Sequence, residues 1–80
     1  MSVVVYTMPS CVQCNRTKKY MDEREIKYSV VDISKSKEAY ELVMSLGYKQ
    51  APVVTAGDMH WSGFRPDKID IIKPTRGEGI

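Results

Sequence analysis

The sequence predicts an α/β fold, a four-stranded mixed sheet flanked by three helices in the order βαβαββα. Three observations lead there. β-branched runs at residues 3–6, 28–33 and 53–56 have the composition of strands. Ala39, Leu42, Val43 and Leu46 recur at the i, i+3, i+4 and i+7 spacing of an amphipathic helix. Gly57-Asp58, between the last of those runs and Met59-His60-Trp61-Ser62, is the turn chemistry of a hairpin.

Taken in order, Val3-Val4-Val5-Tyr6 reads as a buried strand, and Thr7-Met8-Pro9-Ser10 breaks it. A helix follows over residues 12–24, with Cys14, Thr17 and Met21 as its inward stripe and Arg16, Lys19 and Glu23 toward water. The second strand spans 28–33. A right-handed crossover makes the first two strands parallel. Ser36 is placed to cap the second helix, Glu38 complements its dipole, and Gly47 stands where a left-handed C-terminal cap belongs. The hairpin of residues 53–62 adds an antiparallel pair. Pro66 at a first helical position, beside Asp67, opens a last helix over 66–72. Residues 1–73 form the predicted domain, and Pro74, Gly77 and Gly79 mark 74–80 as a frayed tail.

Composition excludes several classes of function. At 80 residues the chain makes one domain with a thin core. Its hydrophobic fraction of 42% suits a globular fold, and no apolar run approaches the ~20 residues of a membrane span. The first residues lack a signal peptide's basic patch and long apolar stretch, so a cytoplasmic protein beginning at residue 1 is expected. A net charge of +2, with the cations scattered among acids, gives no stripe for nucleic acid.

The chemistry is concentrated in Cys11-Val12-Gln13-Cys14, which holds both cysteines of the chain. A disulfide closing so short a loop constrains the unfolded chain little, so redox chemistry explains the pair better than stapling. A CxxC at the mouth of a helix after a strand is a thioredoxin-like redox motif. The unpaired N–H groups and positive potential of that helix end stabilise a Cys11 thiolate, the attacking species in exchange. Cys14, one turn further and inward, resolves the mixed disulfide that Cys11 forms. The first strand holds no acid and His60 is the only histidine, so no general base stands beside Cys14. Two thiolates and His60 fall short of the four ligands of a structural zinc site.

Pro52 in Gln50-Ala51-Pro52-Val53 reads as strand punctuation on its own. Beside a CxxC it resembles the cis-proline of thioredoxin-fold proteins, where it faces the cysteines while the preceding residue, here Ala51, pairs its backbone with substrate. The whole pattern narrows the resemblance. CVQC, then APVV, then HWSGFRPDKI over residues 3–72 closely resembles the NrdH-redoxins, glutaredoxin-like electron donors of class Ib ribonucleotide reductase.

That resemblance implies a thioredoxin fold and a thiol–disulfide oxidoreductase with no bound cofactor. Electrons come from NADPH through thioredoxin reductase and go to the catalytic subunit of class Ib ribonucleotide reductase. Glutaredoxins carry CPYC or CPYS and a later Gly-Gly with an acid that grips glutathione; here the matching stretch is Trp61-Ser62-Gly63-Phe64-Arg65. Hydrogen bonds around Trp61, Ser62 and Arg65 are expected to close the glutathione groove, with Val12, Gln13, Pro52 and Phe64 meeting protein partners. Met8 stands where many relatives carry Lys or Arg. From the residues alone, Trp61 and Phe64 read as core under the last helix, Arg65 and Asp67 as an exposed ion pair, and His60 as a surface strand residue. Two other functions stay open: a glutathione-dependent glutaredoxin, and a metal or iron–sulfur module sharing its CxxC across a dimer. A monomer is expected.

Overall fold

The computed structural model describes residues 3–72. Strands β1 (Val3–Thr7), β2 (Ser29–Asp32), β3 (Val53–Ala56) and β4 (Met59–Ser62) form one sheet in the order β2-β1-β3-β4. β1 runs parallel to β2 and antiparallel to β3, and β3 and β4 form the hairpin. Helices α1 (Val12–Glu23), α2 (Lys37–Ser45) and α3 (Pro66–Ile69) complete the βαβαββα order.

Strand alternation divides the core in two. Val3 and Val5 of β1 and Val54 and Ala56 of β3 point to one face, where they meet Met21 of α1 and Ile69 of α3. Tyr6 and Val53 point to the other and meet Ala39 and Val43 of α2. Two helices on one face and one on the other explain a narrower apolar stripe than the spacing predicts. Leu42 is 43% exposed, because a lone helix on that face meets the sheet along Ala39 and Val43 only.

The helix ends follow the sequence closely. Ser36 Oγ accepts from the Ala39 N–H at 3.2 Å. At the other end Gly47 has φ +92°, with Tyr48 N–H to Val43 O and Gly47 N–H to Met44 O, the paired bonds of a Schellman cap. α1 ends the same way on Glu25, at φ +60°, with Ile26 N–H to Met21 O and Glu25 N–H to Asp22 O.

Several boundaries differ from expectation: β1 runs on through Thr7, and α1 ends at Glu23 with Arg24 as its C-cap. β2 covers 29–32 rather than 28–33: Tyr28 turns its hydroxyl back onto Asp22 of α1 at 2.9 Å, although Ile33 N–H still bonds Thr7 O of β1. α3 is only four residues long, and tighter i→i+3 turns carry the chain on until Ile72 is buried. The predicted tail, 74–80, lies outside the described residues.

Candidate active site

β1 ends at Thr7, and Ser10, at φ +59°, turns the chain into α1. Cys11 is the N-cap, its backbone extended at φ −100° and ψ 106°. Its Sγ accepts the backbone N–H of Cys14 at 3.1 Å, the place a serine oxygen takes in an ordinary cap. The two cysteines form a disulfide, with their Cα atoms 5.2 Å apart. They differ in access. Cys14 is 1% exposed on the inward stripe with Thr17 and Met21, whereas Cys11 is half-buried and Val12 beside it is 67% exposed.

A second loop is fastened to this one. The Ala51–Pro52 peptide is cis, Pro52 is buried, and the Pro52 carbonyl accepts from Gly63 N–H at 2.8 Å. The next amide, of Phe64, donates to Gln13 Oε1 at 3.3 Å. Gly63 makes both contacts possible with φ +83°, a backbone that residues with a side chain rarely adopt. The Phe64 ring packs edge-on against Tyr20 of α1, centroids 5.6 Å apart. The proline segment, the loop after β4 and the CxxC are thus brought together by two backbone amides and one side-chain amide oxygen.

Tyr20 also anchors the helices to each other. Its hydroxyl donates to Asp70 at 2.9 Å and meets the Arg24 guanidinium, which pairs with Asp70 at 2.8 Å. The hydrogen bond to Tyr20, with Asp70 adding to it, holds the Arg24 pKa above its ordinary value.

The comparisons with known proteins match this architecture. The glutaredoxin family model covers residues 3–61. The glutaredoxin-like protein NrdH of Salmonella typhimurium is 43% identical over 75 residues, 94% of this chain and 93% of that protein. Its Escherichia coli K12 counterpart is 42% identical, spanning 92% and 91% of the two chains. The chain belongs to the NrdH group of the glutaredoxin family. The solved structure of NrdH-redoxin from Escherichia coli, described as glutaredoxin-like with a thioredoxin-like activity profile, superposes with a TM-score of 0.89 at 42% identity. It covers 92% of this chain and 97% of its own. A glutaredoxin of Archaeoglobus fulgidus is further off, with a TM-score of 0.73 at 26% identity.

A glutaredoxin-like fold with a dithiol pair at the head of α1 is a thiol–disulfide oxidoreductase. Of the residues singled out from sequence, Gln13, Pro52, Gly63 and Phe64 are joined to the cysteine loop as described above. Ala51 is half-buried beside the cis bond.

Among the described residues, Trp61, Ser62 and Arg65 make other contacts than the expected groove-closing bonds. Trp61 is 3% exposed in the core on the α1 side, and among the described residues its Nε1 has no hydrogen-bond partner. Ser62 pairs in register with Val53 of β3. Arg65 turns to Asp67 at 3.0 and 3.2 Å, which holds the Asp67 carboxyl below its usual range. The physical reason lies in β4, whose alternation sends Trp61 inward while α3 begins at Pro66 and claims Arg65.

Sequence reasoning missed Tyr20, although its i, i+4 spacing to Arg24 was a usable signal. It also missed the partner of His60, which lies on the surface as expected but binds the Tyr48 hydroxyl through Nδ1 at 2.6 Å. Among the described residues, no helix is long and apolar enough to cross a membrane, and no three His, Cys, Asp or Glu converge on one point.

Proposed function

We propose that this chain is a cytoplasmic, monomeric electron carrier. Thioredoxin reductase reduces it with electrons from NADPH, and it delivers them to the catalytic subunit of class Ib ribonucleotide reductase. It needs no bound cofactor, because the two cysteines hold the electron pair. The observation that carries the reading is the asymmetric disulfide at the head of α1, in a chain that matches NrdH proteins over nearly its full length.

In the reduced state the Cys14 amide and the helix end favour the Cys11 thiolate. That thiolate attacks one sulfur of the acceptor disulfide, forming a mixed disulfide and expelling one acceptor thiolate. The sulfur of Cys14 then attacks Cys11 Sγ, closing the 11–14 bond and releasing the second thiolate. Two electrons leave the protein as its disulfide forms. Val12, the neighbour of Cys11 in sequence, and Met8, in the loop between β1 and α1, expose apolar side chains that suit a protein partner. The Gln13–Phe64 and Pro52–Gly63 bonds hold that surface in place.

The thioredoxin-like activity profile of the Escherichia coli relative supports the thioredoxin reductase route. The glutaredoxin match keeps glutathione in play as the rival reductant. One side-by-side assay tests the two: reduction by NADPH and thioredoxin reductase against reduction by glutathione and glutathione reductase. The expected result is efficient reduction by the first and little by the second, and comparable rates would overturn the proposal. Cys11→Ser should abolish turnover, while Cys14→Ser should trap the mixed disulfide.

A further inference from the structure

The exchange steps leave Cys14 without a hydrogen-bonding partner. Its side chain is 1% exposed, so opening the disulfide creates a thiol or thiolate shut off from water. A buried thiol behaves much like a small hydrophobe, but a buried thiolate is costly unless something hydrogen-bonds it. β1 supplies no acid, and His60 is exposed and engaged with Tyr48.

One unused polar group lies on the same buried stripe of α1, three residues on. Thr17 is 0% exposed, and among the described residues its Oγ1 has no hydrogen-bond partner. A helical threonine ordinarily satisfies its hydroxyl on the carbonyl three or four residues back, and Thr17 does not. Helical Cα–Cβ bonds tilt toward the N-terminus, so a side chain leans over the residue three positions before it. For Thr17 that residue is Cys14, on the same buried stripe.

We propose that the Thr17 hydroxyl bonds Cys14 Sγ once the disulfide opens, donating to the thiolate or accepting from the thiol. When a partner dithiol reduces the chain, the Cys11–Cys14 bond breaks and the partner's two sulfurs join. Two electrons pass to Cys11 and Cys14, and of the partner's two thiol protons one goes to Cys14 and the other to Cys11 or water. Thr17 gains its bond only on the reduced side. It therefore stabilises the dithiol against the disulfide and favours the Cys14 thiolate that resolves the mixed disulfide. This deepens the proposed mechanism but rests on the cysteine couple alone, whichever proteins exchange electrons with it.

Equilibration of the purified protein with dithiothreitol, a small dithiol that needs no partner protein, tests it. Thr17→Val, nearly the same shape without the hydroxyl, should shift the equilibrium about tenfold toward the disulfide, or about 30 mV to more negative potential. Thr17→Ala should shift it the same way, and Thr17→Ser should stay within twofold of the parent. In a Cys11→Ser background, the ultraviolet thiolate titration of Cys14 should move to higher pH with Thr17→Val and not with Thr17→Ser. An equilibrium unchanged within twofold by both Thr17→Val and Thr17→Ala would overturn the proposal. So would a Thr17→Ser protein that behaves like Thr17→Ala. Failure of the thioredoxin reductase assay would leave this measurement intact, so the two readings fail separately.

Discussion

Replacing Gly63 by Ala isolates what fastens the second loop to the cysteine pair. Two costs compete. An added Cβ would sit 3.4 Å from Gln13 Oε1, which is only the near edge of ordinary contact against the end of a flexible side chain. The backbone at φ +83° is a conformation that costs an L-residue about 1–2 kcal/mol. Alanine also restricts the unfolded chain, which returns roughly 0.4–1 kcal/mol. The net loss should be about 1 kcal/mol, set by the backbone and not by the contact. Gly47→Ala is the internal control, because Gly47 has φ +92° with nothing within 4 Å of an added Cβ. Urea denaturation of the oxidised proteins should show both variants losing about the same stability. With a slope near ~1 kcal/mol/M for so small a domain, each midpoint falls by about 1 M. Only Gly63→Ala should also slow disulfide exchange, since Gly63 N–H holds the Pro52 carbonyl and Gly47 lies at the far end of α2. If adding Gln13→Ala to Gly63→Ala restores the lost stability, the contact dominates and the backbone argument is wrong.

Three further outcomes are expected. Burial first, then the hydrogen bond to Asp22, pushes the Tyr28 hydroxyl up to about 12 from 10.0. Its contribution to stability is therefore full below pH 10 and lost as pH rises through 12, so Tyr28→Phe should flatten the alkaline fall of a denaturation series. Trp61→Phe removes an indole N–H that has no partner and should cost less than about 1.5 kcal/mol, against about 3–5 for Trp61→Ala, by chemical denaturation. Asp70→Asn weakens the exposed contacts to Arg24 and Tyr20, and its cost should stay below about 1 kcal/mol and shrink in added salt.

Much of this molecule could be read from local chemistry. Cys11 and Cys14 lie where a strand gives way to a helix, and Ser36 and Gly47 bracket α2 as capping rules require. Those features depend on neighbours within about five residues. What escaped the sequence depends on contacts between distant segments. Gln13 and Phe64 are 51 positions apart, and neither residue type foretells the bond. Tyr28 was counted into β2 by composition, but its hydroxyl follows Asp22. For Trp61 the family resemblance suggests a groove and the residues alone suggest the core; alternation along β4 puts it in the core, inward with Val54 and Val5. Resemblance placed the segment correctly and alternation placed the side chain. Thr17 was assigned to the inward stripe from its spacing, but only the folded structure shows that its hydroxyl is unengaged.

The unequal access of the two sulfurs has a kinetic consequence. Cys11 is reachable and Cys14 is shut in, so donor and acceptor must both enter through the same atom. They cannot occupy the protein together, and turnover must follow a ping-pong pattern in which each excludes the other. An excess of either one in the wrong redox state then competes for Cys11 and slows the cycle. The rate of exchange therefore depends on the concentrations of both the dithiol and the disulfide, since each must find Cys11 free.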